Sequence, residues 1–153
     1  MKKETIIQLH SNFEHKVYKD TDGGTEFWFA RDLQILLGYS QWRSFEAVIE
    51  KAKTSCENSG YDPEDHFAPA RKMVELGSGA RREIDDIALT RYACYLIAQN
   101  GDPSKDQIAF AHTLFSNPYC LNAVVATFLN RPTEYPQVTP ILSTNGLFNF
   151  KVL

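Results

Sequence analysis

The sequence holds only three cysteines, Cys56, Cys94 and Cys120, widely spaced and with no C-x-x-C pair. Such a set builds neither a disulfide framework nor a zinc knuckle. Cys56 and Cys94 fall on apolar helical faces, the usual setting of a buried reduced thiol. No apolar run is long enough to span a bilayer, and the opening MKKETIIQLHSNFEHK turns polar too soon for a signal peptide. The expected setting is therefore the cytoplasm, with no membrane partner. Positive charge is not in excess: 16 Lys and Arg against 19 Asp and Glu give a formal charge of −3. Any nucleic-acid contact must then come from a local patch. The four histidines show no metal-ligand spacing, and Gly77-Ser78-Gly79 lacks the Lys-Ser/Thr that a phosphate loop requires. Glu83, Asp85 and Asp86 are close in sequence, but on a strand Asp85 and Asp86 point to opposite faces. With no nucleophile beside a base, the expectation is no catalysis, no metal and no cofactor.

What the chain does contain is concentrated between Glu26 and Cys56. An aromatic alternation (Phe27, Phe29) gives way to helical spacing at Leu33, Leu36 and Leu37, then to Gly38-Tyr39-Ser40, then to a second helical stripe of Trp42, Phe45, Val48, Ile49, Ala52 and Cys56. The pattern predicts strand, short helix, tight turn and longer helix, a helix-turn-helix-like pair. Gly38 suits a left-handed helix end and Ser40 an N-cap. The opening of the second helix offers Ser40, Gln41, Arg43 and Ser44: Gln and Arg can fork onto base edges, and Ser can bond a phosphate. The same residues would also serve as a merely solvated helix start.

Elsewhere the chain alternates hairpins and helices. Asp20 to Gly24 is a turn cluster between Val17-Tyr18 and Phe27-Trp28-Phe29, which predicts a first β-hairpin. Thr5–Asn12 fits a strand or a short helix. Ala30 is a poor N-cap for the helix that follows the hairpin, although Asp32 suits its first turn. Asn58-Ser59-Gly60 stops the long helix, and Phe67 is expected to insert into the core from the loop beyond. Met73 to Leu76 and Arg81 to Ile84 bracket Gly77-Ser78-Gly79-Ala80, a second hairpin with positive φ expected at Gly77 and Gly79. It carries Arg71 and Lys72 on one arm and Arg81 and Arg82 near the turn, a basic patch unless Glu75, Glu83, Asp85 and Asp86 neutralise it. Thr90 caps an apolar helix to Asn100, expected to be the central one, and Ser104–Phe115 forms another. Beyond Phe115 four prolines and few charges mark a tail, with Leu121–Leu129 a candidate short helix. The domain division is thus 1–115 and 116–153.

The motifs WFARDLQILLGYSQWRSF, KAKTSCENSG, DHF, MVELGSGARREIDDIALTRYACYLIAQNGDPSK and IAFA, in that order between Glu26 and Ala111, resemble the DNA-damage-inducible protein D family. The amino-terminal part of that family is related to the Bro-N domain of viral and phage antirepressor-like proteins. The resemblance implies an α+β DNA-binding domain, here two β-hairpins on a helical core, and a role in the DNA-damage (SOS) response that modulates repair or recombination. It brings no catalytic residue or cofactor. Family members continue after the IAFA helix into a longer, charged helical region, from which this tail departs.

Two functions follow as expectations. The first is non-catalytic DNA binding through Ser40, Gln41, Arg43, Ser44, Arg71, Lys72, Arg81 and Arg82, the helix opening and the cationic ribbon sharing one side of the molecule. The second is an antagonist module docking on a repair or regulatory protein without touching DNA. Single- or double-stranded preference and homodimerisation stay open.

Overall fold

The computed structural model describes residues 2–21, 25–116, 138–142 and 148–152. Its contacts divide the chain into residues 1–118 and 119–153. The first unit is α+β, built on one four-stranded antiparallel sheet. Helix α1 (Lys3–Glu14) resolves the strand-or-helix ambiguity at the N-terminus, and its Phe13 is buried against the rings of Phe110 and Phe115. Strands β1 (Tyr18–Lys19) and β2 (Glu26–Phe29) form the expected first hairpin. Chain direction then passes without a linker into α2 (Ala30–Leu36), and a turn leads to α3 (Trp42–Asn58). After the single-turn α4 (Pro63–His66), β3 (Phe67–Glu75) and β4 (Arg81–Leu89) make the long second hairpin. Helices α5 (Arg91–Gln99) and α6 (Asp106–Ser116) complete this unit among the described residues.

The strand order is β1-β2-β4-β3, so β3 is an edge. Trp28, Leu89 and Phe67 align across the sheet and are all buried, which sets its root against the helices. On α3 the residues Phe45, Val48, Ile49, Ala52 and Cys56 recur at helical spacing and line its buried face. Helix α5 touches α3, α6, β2 and β4 and buries Ala93, Cys94, Leu96, Ile97 and Ala98, the central place its composition indicated. Each large side chain fully withdrawn from water there contributes about 1.5–3 kcal/mol. Cys94 is buried in this core, and burial pushes its thiol far above the ordinary value. Thr90 caps α5 by accepting from the Ala93 N–H at 3.2 Å, and its hydroxyl lies 2.9 Å from His66 Nδ1. Gly101, at the close approach of α5 and α6, leaves no room for a Cβ, which would stand 2.6 Å from Ile108 Cδ1.

Two local expectations need correction. At the ribbon tip only Gly79 has positive φ (78°); the Gly79 N–H donates to Leu76 O and the Leu76 N–H to Ala80 O, a three-residue loop that needs one left-handed position, so Gly77 is ordinary. At the start of α3 the N-cap is Gln41, one residue later than Ser40, and its side chain makes no cap bond. In the second unit β5 (Val138–Leu142) and β6 (Phe148–Val152) pair antiparallel. The candidate helix at Leu121–Leu129 and Cys120 lie outside the described residues.

Candidate nucleic-acid interface

The turn between α2 and α3 is fixed on all sides. Gly38 has φ 74°, and the Gly38 N–H donates to Ile35 O while the Tyr39 N–H reaches back to Gln34 O, the paired bonds of a Schellman ending. Gln34 Nε2 donates to Tyr39 O, and Lys105 Nζ donates to Gly38 O while standing 4.4 Å from the centre of the Tyr39 ring. Tyr39 and Trp42 in turn pack on Phe45. The opening of α3 is therefore held rigidly, yet Ser40, Gln41, Arg43 and Ser44 are all exposed. None of the four side chains has a partner among the described residues. With no side-chain cap, the first N–H groups of a 17-residue helix are also left pointing outward.

The ribbon is less cationic than its composition. Register pairs Arg71 with Asp85 and Glu75 with Arg81, so Arg71 and Arg81 share one face while Lys72 and Arg82 occupy the other. Arg71 lies 3.3 Å from Glu83 and 3.9 Å from Asp85, and Arg81 lies 3.4 Å from Glu75. That face sets two positive side chains against three negative ones. Lys72 turns inward to a buried carboxylate, Asp32, which also accepts from the Tyr18 hydroxyl at 3.1 Å and attracts Lys16 at 3.5 Å. Burial works against the Lys72 ammonium, but the Asp32 hydrogen bond and charge outweigh it and leave its pKa above the ordinary lysine value. The four ribbon cations therefore do not form one patch: Arg71, Lys72 and Arg81 have acidic partners, and among the described residues Arg82 has none.

What joins helix opening to ribbon is Arg31, a residue the sequence marks with no role. Its backbone N–H donates to Asp86 Oδ1 at 3.1 Å, its Nε donates to Asp85 O at 3.1 Å, and its guanidinium lies 4.5 Å from the centre of the Trp42 ring. Asp86 thus supplies to α2 the cap that Ala30 and Phe29 cannot. Buried, with Oδ2 unpartnered, the Asp86 carboxyl is pushed up by desolvation against the pull of the Ile87 and Arg31 N–H groups. Asp85, one residue away, is 96 % exposed, so the two carboxylates do not converge on a common point.

Residues 16–116 match the BRO family, N-terminal domain. Over 93 residues the chain is 53 % identical to DNA damage-inducible protein D of Escherichia coli (strain K12), covering 61 % of this chain and 34 % of that protein. The chain thus spans about a third of the length of the curated relative it matches. No solved structure matches. Since the matched span runs from just after α1 through α6 and takes in the helix opening, the ribbon and the Arg31 bridge, the chain belongs to the BRO family through its N-terminal domain, with similarity to DNA damage-inducible protein D.

Proposed function

We propose that this chain is a non-catalytic DNA-binding module of the DNA-damage response that modulates repair or recombination. One observation carries the reading: the rigid, uncapped opening of α3 exposes Gln41 and Arg43 between two serines, with no intramolecular partner among the described residues. Gln and Arg at such a helix start have the donors to read base edges, while the serine hydroxyls and free N–H groups suit phosphate oxygens. Arg82 adds a second phosphate contact from the ribbon, whose root Arg31 ties to Trp42. With a net charge of −3, attraction is local rather than global, and affinity is modest and salt-sensitive. The name of the relative supplies the damage-response setting.

Fluorescence anisotropy against single- and double-stranded DNA over a salt series tests this. Arg82→Ala is expected to lower the log–log salt slope by about one, and Gln41→Ala and Arg43→Ala to weaken binding and relax sequence preference with the slope little changed. Absence of DNA affinity at low salt overturns the reading. The exposed Met73 and Leu76 on the ribbon favour a second one, docking on a repair or regulatory protein, and Arg43→Ala with Arg82→Ala would leave such binding intact.

A further inference from the structure

Strand β3 ends its sheet, and its outer edge has no strand beside it among the described residues. The tip fixes which backbone groups look outward. Leu76 exchanges its bonds with the turn and Ala80, and antiparallel ladders alternate, so Val74, Lys72 and Ala70 face β4 while Glu75, Met73 and Arg71 present N–H and C=O to solvent. The next outward position is Pro69, where a missing N–H does no harm to the ladder. Arg71, Met73 and Glu75 also share one side-chain face, and Met73 is 58 % exposed. An edge of this kind invites a further strand.

The order of charges specifies which one. We propose that β3 pairs edge to edge with β3 of a second copy of this chain, antiparallel and centred on Met73, closing a two-fold dimer. In that register Met73 faces Met73 of the second copy, Arg71 faces its Glu75, and Glu75 faces its Arg71. All three pairs bring outward backbone groups together, so each exchanges hydrogen bonds. The neighbouring ion pairs extend the match: Asp85, Arg71, the second copy's Glu75 and its Arg81 form one row of alternating sign across four strands. Moving the centre to Arg71, Lys72 or Glu75 sets like charges opposite one another and is disfavoured. Met73, exposed in the single chain, becomes covered. The contact is isologous, as closed dimers require, and lies at the small end of interface sizes, so self-association is of micromolar strength or weaker.

Sedimentation velocity of the 153-residue chain over a concentration series into the high micromolar range tests it. Arg71→Glu and Glu75→Arg each turn both cross-copy ion pairs into like-charge pairs and should weaken self-association by about tenfold or more. An equimolar mixture of the two variants restores both attractions and should regain wild-type association. Met73→Pro removes the central outward N–H without touching the β3–β4 ladder and should abolish the dimer, with circular dichroism confirming the fold. A wild-type chain that stays monomeric overturns the proposal and leaves the edge to a foreign strand. A mixture that fails to re-associate, or a folded Met73→Pro chain that still dimerises, overturns it equally.

Discussion

Replacing Asp32 with Ala should be among the most damaging single changes on the sheet side of the molecule. The carboxylate is 5 % exposed and answers Lys72, Lys16 and the Tyr18 hydroxyl together. Lys16 is 45 % exposed and loses little, because exposed ion pairs are weak. Lys72 is different: its side chain is 17 % exposed and its ammonium sits 5.1 Å from the Phe29 ring centre and 5.6 Å from that of Tyr18. Those rings soften the loss by about 0.5–1 kcal/mol, but stranding a largely buried charge costs about 3 kcal/mol. That is a large share of the roughly 5–15 kcal/mol that holds a domain together. Urea unfolding followed by tryptophan fluorescence is a direct assay, since Trp28 is buried in the same sheet. Removing the stranded charge with Lys72→Met in the Asp32→Ala background should recover about 2 kcal/mol, and comparison with Lys72→Met alone completes the cycle that gives the coupling of the pair. Additive costs in this cycle would refute the reasoning. The pH dependence has a definite sign. Because the folded state raises Lys72 above 10.5, the contribution of the pair is complete below that value and is lost as pH rises through the folded-state value. Asp32→Ala should remove that alkaline loss.

Other perturbations follow from the same contacts. Asp86 has a pH dependence of the same sign, moved to acid pH: its carboxyl is raised above 3.8, so its stabilisation is complete below that value and falls as pH rises through the folded-state value. Asp86→Asn should flatten this part of the stability–pH profile, whereas Asp86→Ala should also strip the cap from the Arg31 N–H and cost about 1 kcal/mol in urea unfolding. Thr90→Ala removes both the cap on Ala93 and the partner of His66, so a loss of about 1–2 kcal/mol in thermal or urea unfolding is expected, with Thr90→Ser restoring most of it.

Much of the architecture was legible because period and punctuation agree. The strand, helix, turn and helix from Glu26 to Asn58 follow from the change of spacing at Ala30 and from Gly38, and the hairpins follow from their turn residues. The α3 opening was legible as exposed for the same reason: its apolar stripe leaves Gln41, Arg43 and Ser44 on the other side. The ribbon's electrostatics were not. Alternation alone separates Lys72 and Arg82 from Arg71 and Arg81, but only the register shows which carboxylate each one meets. Arg71, Lys72 and Arg81 are neutralised by residues six to forty positions away, a distance at which composition carries no pairing information. The Asp86 cap lies between these cases. An uncapped helix at Ala30 and an adjacent pair of acids of which one must turn inward are two unmet needs that answer each other, and reading them jointly would have found the bond.

The grip of Arg31 on the ribbon has one further implication. Its side chain holds the main-chain carbonyl at Asp85, an atom that every amino acid possesses. Anchorage is therefore indifferent to which residues decorate the outer side of the arm. Sequence drift there can change the surface of the arm without shifting the helix opening that Trp42 begins, so the two elements can diverge one at a time.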